Sequence, residues 1–430
     1  MKIEIQKYTA YKDSGVEWLG DIPSHWETLS NKNIFKLKKI QVGKKSSDYV
    51  LLSLTLNGVI KRDMENPQGK FPAEFNTYQE VKKGDFIFCL FDVEETPRCV
   101  GLSDYDGMIT GAYTVMDPFD NFDRNFLYYF YLNLDADKRL KPLYTGLRNT
   151  ISKENFFSFK SFVPPIKEQT AIAAFLDRKT ALIDQAIDIK QKQIELLKER
   201  RQILIHKAVT RGLNPNAKMK DSGVQWIGEI PEGWEVKKVT HLFDKIGSGT
   251  TPTSGDSKYY DGEYHFLQTG DLNDGKVFKT NRTLKDQAFK DFSSLKIYPK
   301  GSLVMAMYGA TIGKLGILEI ESATNQACCV FGKPNDILID YFFYILLAFR
   351  LEIVSFGYGG GQPNISQDLI KSLRFPIATN LEQKAIVKYI TEITNRFSTA
   401  ISLKEQEIEK LKEYKATLIN SAVTGKIKVV

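Results

Sequence analysis

The chain contains two copies of one segment, and any fold assigned to it must accommodate that duplication. Residues 12–27 read Lys-Asp-Ser-Gly-Val-Glu-Trp-Leu-Gly-Asp-Ile-Pro-Ser-His-Trp-Glu, and residues 220–235 read Lys-Asp-Ser-Gly-Val-Gln-Trp-Ile-Gly-Glu-Ile-Pro-Glu-Gly-Trp-Glu. The copies start 208 residues apart in a chain of 430. All four tryptophans, Trp18, Trp26, Trp226 and Trp234, lie within them.

A second repeated pattern closes each half. Glu168-Gln169 with Ala171-Ile172 returns as Glu382-Gln383 with Ala385-Ile386, and Ala208-Val209-Thr210 returns as Ala422-Val423-Thr424. Between these anchors both copies lack Gly and Pro and carry apolar residues at alternating steps of four and three. The seam runs Ile183, Ile187, Ile194, Leu197 and Leu204 in one copy, and Phe397, Ile401, Ile408, Leu411 and Leu418 in the other. A seam every 3.5 residues predicts coiled-coil helices, which we expect to pack on one another. Basic residues interrupt it at matching places, Lys190 with Lys404 and Arg201 with Lys415, which weakens a coil but fixes its register.

The stretches between are rich in Gly, aromatics and short β-type runs, as expected of α+β domains. They diverge yet keep an outline. Lys83-Gly84-Asp85 leads into a strand over 86–90, and Lys300-Gly301-Ser302 into one over 303–307. Aromatic helices are expected over 125–134 and 341–349. A proline, Pro165 or Pro376, then breaks the chain before each long helix. The organisation is therefore a globular domain over residues 1–165, a helix over 166–212, a second globular domain over 213–378 and a helix over 379–430.

No familiar chemistry stands out. Cys89, Cys99, Cys328 and Cys329 form no C-x-x-C pair, and adjacent Cys328 and Cys329 in one strand should face opposite ways. The four histidines have no metal-ligand spacing, so no metal site is expected. Gly309-Ala310-Thr311-Ile312-Gly313-Lys314-Leu315 is one residue short of a phosphate loop, has Leu315 where Ser or Thr belongs, and is expected between strands. A net charge of +7 permits an anionic partner without requiring one. With a mean hydropathy of −0.28, no apolar run long enough to span a bilayer and no apolar N-terminal stretch, we expect a cytoplasmic protein with no membrane partner.

The paired Gly-Val-x-Trp-x-Gly-x-Ile-Pro segments, Pro-Pro-x-x-Glu-Gln-x-x-Ile at 164–172 and Ala-Val-Thr-x-Gly at 208–212 resemble the specificity (S) subunit of type I restriction–modification systems. The likeness covers nearly the whole chain. The second copy departs from it, with a single Pro376 and Glu382-Gln383 three residues further on. The resemblance implies an α+β chain with pseudo-two-fold internal duplication. Its two target-recognition domains alternate with two helices paired as an antiparallel coiled coil. It also implies double-stranded DNA read as a bipartite target. Partners would be two methyltransferase (M) subunits that modify adenines and motor–nuclease (R) subunits that cleave. This chain would be non-catalytic and bind no cofactor, with S-adenosylmethionine, ATP and Mg²⁺ on the partner subunits. The seam from Ile183 to Ala208 spans about 38 Å of helix, against ~34–36 Å between half-sites one DNA turn apart.

Phosphate contacts come from Lys, Arg and loop amides, and base contacts from Arg, Gln, Asn, Ser and Thr. On that chemistry the DNA-binding candidates of the first globular domain are Lys44, Lys45, Arg98, Arg148 and Asn149. Those of the second are Ser248, Thr250, Thr251, Tyr308, Thr311, Lys314, Gly360, Gln362 and Asn364. The tryptophans are expected to pack and to form a subunit interface with M. Competing readings are an unpaired, silent S-type subunit, a coiled-coil scaffold with two protein-binding heads, and a self-sufficient methyltransferase.

Overall fold

The computed structural model describes residues 6–16, 19–63, 74–358 and 364–429. Contacts divide the chain into two units, Met1–Gln191 with Glu405–Val430, and Lys192–Lys404. Each unit takes one globular domain and a stretch of both long helices.

The first unit begins with the repeated segment, whose strands Tyr11–Asp13 and Asp21–Pro23 pair antiparallel. Strand Glu27–Ser30 then pairs with Lys160–Val163, so the two ends of the globular domain meet before the long helix starts at Ile166. Between them lies an antiparallel sheet in the order Phe35–Lys38, Thr114–Pro118, Phe86–Phe88, Val100–Leu102. Gly84, at φ 90°, makes the turn into the third of these, a conformation that favours glycine. The helix Arg124–Ala136 is capped by Asp123, which accepts from the Phe126 amide at 3.0 Å. Its buried Phe126, Phe130 and Tyr131 join Phe35 and Phe88 in one core, where each apolar ring contributes roughly 1.5–3 kcal/mol. The Tyr131 hydroxyl is satisfied inside that core by Asn31, at 2.6 Å, and Ser161.

The second unit follows the same outline on a larger scale. Met219–Asp221 pairs with Glu229–Pro231, and Glu235–Lys238 with Arg374–Ile377. Its main sheet has five strands, Phe243–Ser248, Cys328–Pro334, Leu303–Ala306, Leu315–Leu318 and Gly275–Val277, the last pair parallel. A four-stranded sheet, Arg282–Leu284, Tyr260–Leu267, Ser322–Thr324 and Ile297–Tyr298, has no counterpart among the described residues of the first unit. Gly301, at φ 86°, repeats the turn of Gly84, and Ile339–Ala348 is the second aromatic helix. Cys328 and Cys329 do face opposite ways, joining different buried clusters. All four thiols are free and buried, and burial pushes those of Cys99 and Cys329 up to about 12.

The long helices run Ile166–Arg211 and Asn380–Val423. The expected seam is there: Ile183, Ile194, Ile401, Ile408 and Leu418 are buried, and Ile187, Leu197, Leu204, Phe397 and Leu411 are half-buried. In the first unit Lys190 bonds Glu407, and Lys415 bonds both Asp184 oxygens at 2.7 Å. Partner numbers fall on one helix as they rise on the other, so the strands of this coil are antiparallel. Both of these seam lysines are thereby matched across it. In the second unit Ile205, Ala208 and Val209 share a core with Ile386 and Ile390. Gly212 and Gly425, at φ 69° and 71°, end the helices in the left-handed conformation common just past a helix end.

Candidate nucleic-acid interface

Each globular domain carries a surface built on the same backbone joint. In the first, the Ile151 amide donates to Leu90 O at 2.8 Å; in the second, the Ile365 amide donates to Met307 O at 2.8 Å. The joint ties the loop after a central strand to the loop before the last short helix, and brings together residues about 60 positions apart in each half.

In the first unit this places Arg148 and Asn149 beside Asp92 and Glu95. The Asp92 amide donates to Arg148 O at 2.9 Å, and the Arg148 side chain returns the contact, with Nε on Asp92 Oδ1 at 2.9 Å and Nη2 on Oδ2. That guanidinium holds the Asp92 carboxyl below the usual carboxylate range. The guanidinium also lies 5.9 Å from the Phe91 ring centroid. Asn149 donates to Glu95 at 3.1 Å. Lys44 and Lys45 are exposed in the short helix Gly43–Asp48. Arg98 is placed differently from its fellow candidates: its Nη1 meets the Tyr128 hydroxyl at 3.3 Å on the aromatic helix. It lines a groove of about 630 Å³ with Asn133, Arg139 and Lys412.

In the second unit the Gly247–Thr251 segment leaves strand Phe243–Ser248 with no room for a side chain at Gly249, where a Cβ would sit 1.6 Å from Thr324 O. Ser248 donates to Gln367 at 3.3 Å, Thr250 shares a hydrogen bond with Ser294 at 2.8 Å, and Thr251 donates to Gln326. Tyr308 pairs with Asn364 as a single antiparallel bridge, and Asn364 pairs also with the exposed Tyr358. Thr311 and Lys314 form a tight turn between strands, the Lys314 amide donating to Thr311 O at 2.9 Å. The strand-to-strand setting expected for the Gly309–Leu315 string is therefore what the structure has. Gly360 and Gln362 lie outside the described residues.

Sequence reasoning missed Asp92, Gln326 and the Arg350–Asp274 pair, whose Nη1–Oδ2 distance is 3.0 Å. Asp92 gives no local signal, since its partner is 56 positions away. Gln326 was open to notice as one of two adjacent amides, Asn325-Gln326, ahead of a buried strand.

The tryptophans pack, as expected, but two of them are too deeply buried to serve the expected interface. Trp26 and Trp234 are sealed inside their own units, so their rings offer no face to a partner. Trp226 is half-buried and packs edge-on against Phe349, Phe356 and Phe375. Trp18 lies outside the described residues. Among the described residues no cluster of His, Cys, Asp and Glu is arranged to hold a metal. No helix there is long and apolar enough to cross a membrane.

A family model for the type I restriction modification DNA specificity domain matches residues 231–413. The type I restriction enzyme MjaVIII specificity subunit of Methanocaldococcus jannaschii is 29% identical over 295 residues, covering 66% of each chain. The putative MjaX specificity subunit of the same organism is 26% identical and covers 96% of each. Among solved structures, a chain from a type I R-M system assembly superimposes with a TM-score of 0.70 at 13% identity, over 94% of this chain and 98% of that one. The HsdS subunit from Thermoanaerobacter tengcongensis does so with a TM-score of 0.53 at 14% identity and the same coverage. The low identities make these two a likeness of fold. The family match and the relatives make the chain similar in sequence, along nearly its whole length, to type I restriction–modification specificity subunits.

Proposed function

We propose that the chain is the sequence-reading, non-catalytic subunit of a type I restriction–modification complex. Each globular domain reads one half of a bipartite duplex target, and the helices hold the two halves of the site at a fixed spacing. Methyltransferase subunits carrying S-adenosylmethionine modify adenines at the site so chosen, and a motor–nuclease subunit using ATP and Mg²⁺ cleaves DNA left unmodified. The observation that carries this reading is the shared joint at Ile151–Leu90 and Ile365–Met307, which presents different side chains in the two units: Arg148, Asn149 and Asp92 in one, Tyr308, Asn364 and Tyr358 in the other. A duplicated frame with unlike surfaces suits two unlike half-sites.

The test is binding of the full chain, with and without its methyltransferase partner, to random-sequence duplex DNA at several salt concentrations. The reading expects selection of a split site and an affinity that falls by orders of magnitude between about 50 and 200 mM salt, reporting several phosphate contacts. A chain that binds protein partners but no duplex is a scaffold. Methyl transfer by the purified chain alone makes it an enzyme.

A further inference from the structure

We infer that Arg148 reads a guanine in the half-site of the first unit, held in its reading plane by Asp92. The inference rests on the DNA-reading function proposed above and names the base that one of its side chains recognises.

The loop that carries Arg148 is rigid by its own bonds. The Thr145 amide donates to Thr150 O at 2.8 Å and the Thr150 amide to Thr145 O at 3.0 Å, closing a short ring of backbone. Asn149 on its rim, and Asp92 opposite, both hold a left-handed backbone, at φ 44° and 46°, which costs a non-glycine residue about 1 kcal/mol or more. Leu147 at its tip is completely exposed, at 105% of its reference area. A fully exposed leucine on a bonded loop has no partner inside its own fold.

The choice between phosphate and base follows from charge. A side chain that grips phosphate is best left as an unpaired cation, because a neighbouring carboxylate repels the same anion. Arg148 is paired at two points with Asp92, so together they carry no net charge. Pairing uses Nε–H and one Nη2–H and leaves the far edge, an Nη1–H and the other Nη2–H, side by side in the guanidinium plane. Two coplanar donors at that spacing match the N7 and O6 acceptors of guanine in the major groove. Asp92 also removes the rotational freedom that an exposed arginine would otherwise lose on binding. The adjacent Leu147 suits the methyl of a thymine at a neighbouring pair.

The experiment compares half-site preferences selected from random duplex DNA by the full chain with its methyltransferase partner. The proteins are wild type, Arg148→Ala, Arg148→Lys and Asp92→Asn. Wild type should require guanine at one position. Arg148→Ala and Arg148→Lys should lose that requirement by about ten- to a hundredfold, with every other position and the second half-site unchanged. Asp92→Asn, which keeps the arginine and removes a negative charge, should weaken the guanine preference while overall affinity holds or rises. A merely structural Asp92 would instead lower affinity for all sequences alike. Arg148→Ala with all base preferences intact and a shallower salt dependence would overturn the inference and make Arg148 a phosphate contact. Retention of full guanine preference by Arg148→Lys or Asp92→Asn would equally overturn it. Wild type that selects no duplex sequence fails the proposed function itself.

Discussion

The indole N–H of Trp26 donates to the Glu168 carboxylate at 3.1 Å, across 142 positions of sequence. Trp234 repeats the contact on Glu382 at 3.2 Å. Next along each helix, the buried Gln169 and Gln383 bond inward: Gln169 accepts from the Asp123 amide and Gln383 from the Leu338 amide, both at 2.9 Å. The repeated Trp and Glu-Gln therefore form one device, which fastens the start of a long helix to the segment that opens its globular domain.

Glu168 accepts from Tyr8, His25 and Trp26, and two of these donors are at least half removed from water. Glu168→Ala leaves the buried Trp26 N–H without a partner and should cost about 2 kcal/mol. Glu168→Gln keeps an acceptor oxygen and should cost less than half of that. Urea unfolding followed by tryptophan fluorescence measures both. Equal costs would show that the carboxylate matters for its charge rather than for its volume or a single acceptor oxygen.

Three left-handed glycines, the helix-ending Gly212 and Gly425 and the turn residue Gly223, offer a graded series. At Gly425 an added Cβ would lie 2.3 Å from Pro23 Cδ, at Gly212 it would lie 3.3 Å from the Trp234 ring, and at Gly223 nothing lies within 4 Å. All three have φ near +70°, so backbone strain is common to them, about 1 kcal/mol each. Gly223→Ala should cost about that, Gly212→Ala slightly more, and Gly425→Ala about 2–3 kcal/mol, because proline cannot yield. Thermal midpoints in that order support the packing; three equal losses contradict it.

Segments near the two ends of the described chain meet. The Lys428 amide donates to Gln6 O at 2.8 Å, and Gly425 packs on Pro23 and Trp26 as Gly212 packs on Pro231 and Trp234. A permutant with joined ends, opened between Asn214 and Lys218, should fold with a cooperative unfolding transition close to that of the parent. Circular dichroism and size exclusion check it, and loss of folding in several such permutants would contradict the equivalence of the two junctions.

The frame was legible in the sequence because it is written in residues that must recur: the seam, the helix-ending glycines, the Trp and Glu-Gln pairs. The candidate surfaces were not, because they are assembled by backbone bonds such as Ile151–Leu90 between loops far apart in the chain. Arg148 was found by its charge alone; Asp92, which gives it a direction, was not. For Trp26 the sequence showed packing but not its depth, since an indole suited to an interface is equally suited to a core, and only its burial beside Glu168 decides between them. Ile205, Ala208 and Val209 are already built into the second unit's core, so residues added after Arg211 would form a loop and leave the spacing alone.

A length change belongs instead where the units divide, after Gln191 in one helix and after Lys404 in the other. One heptad inserted at each point keeps the 3.5-residue seam and the pairing on either side, and adds about 10 Å of helix, roughly three base pairs of DNA. The measurement is the methylation pattern of cellular DNA directed by this variant with its methyltransferase partner. The account predicts both half-site sequences unchanged and the unspecified gap between them longer by about three base pairs. An active variant that methylates with the original gap would contradict it.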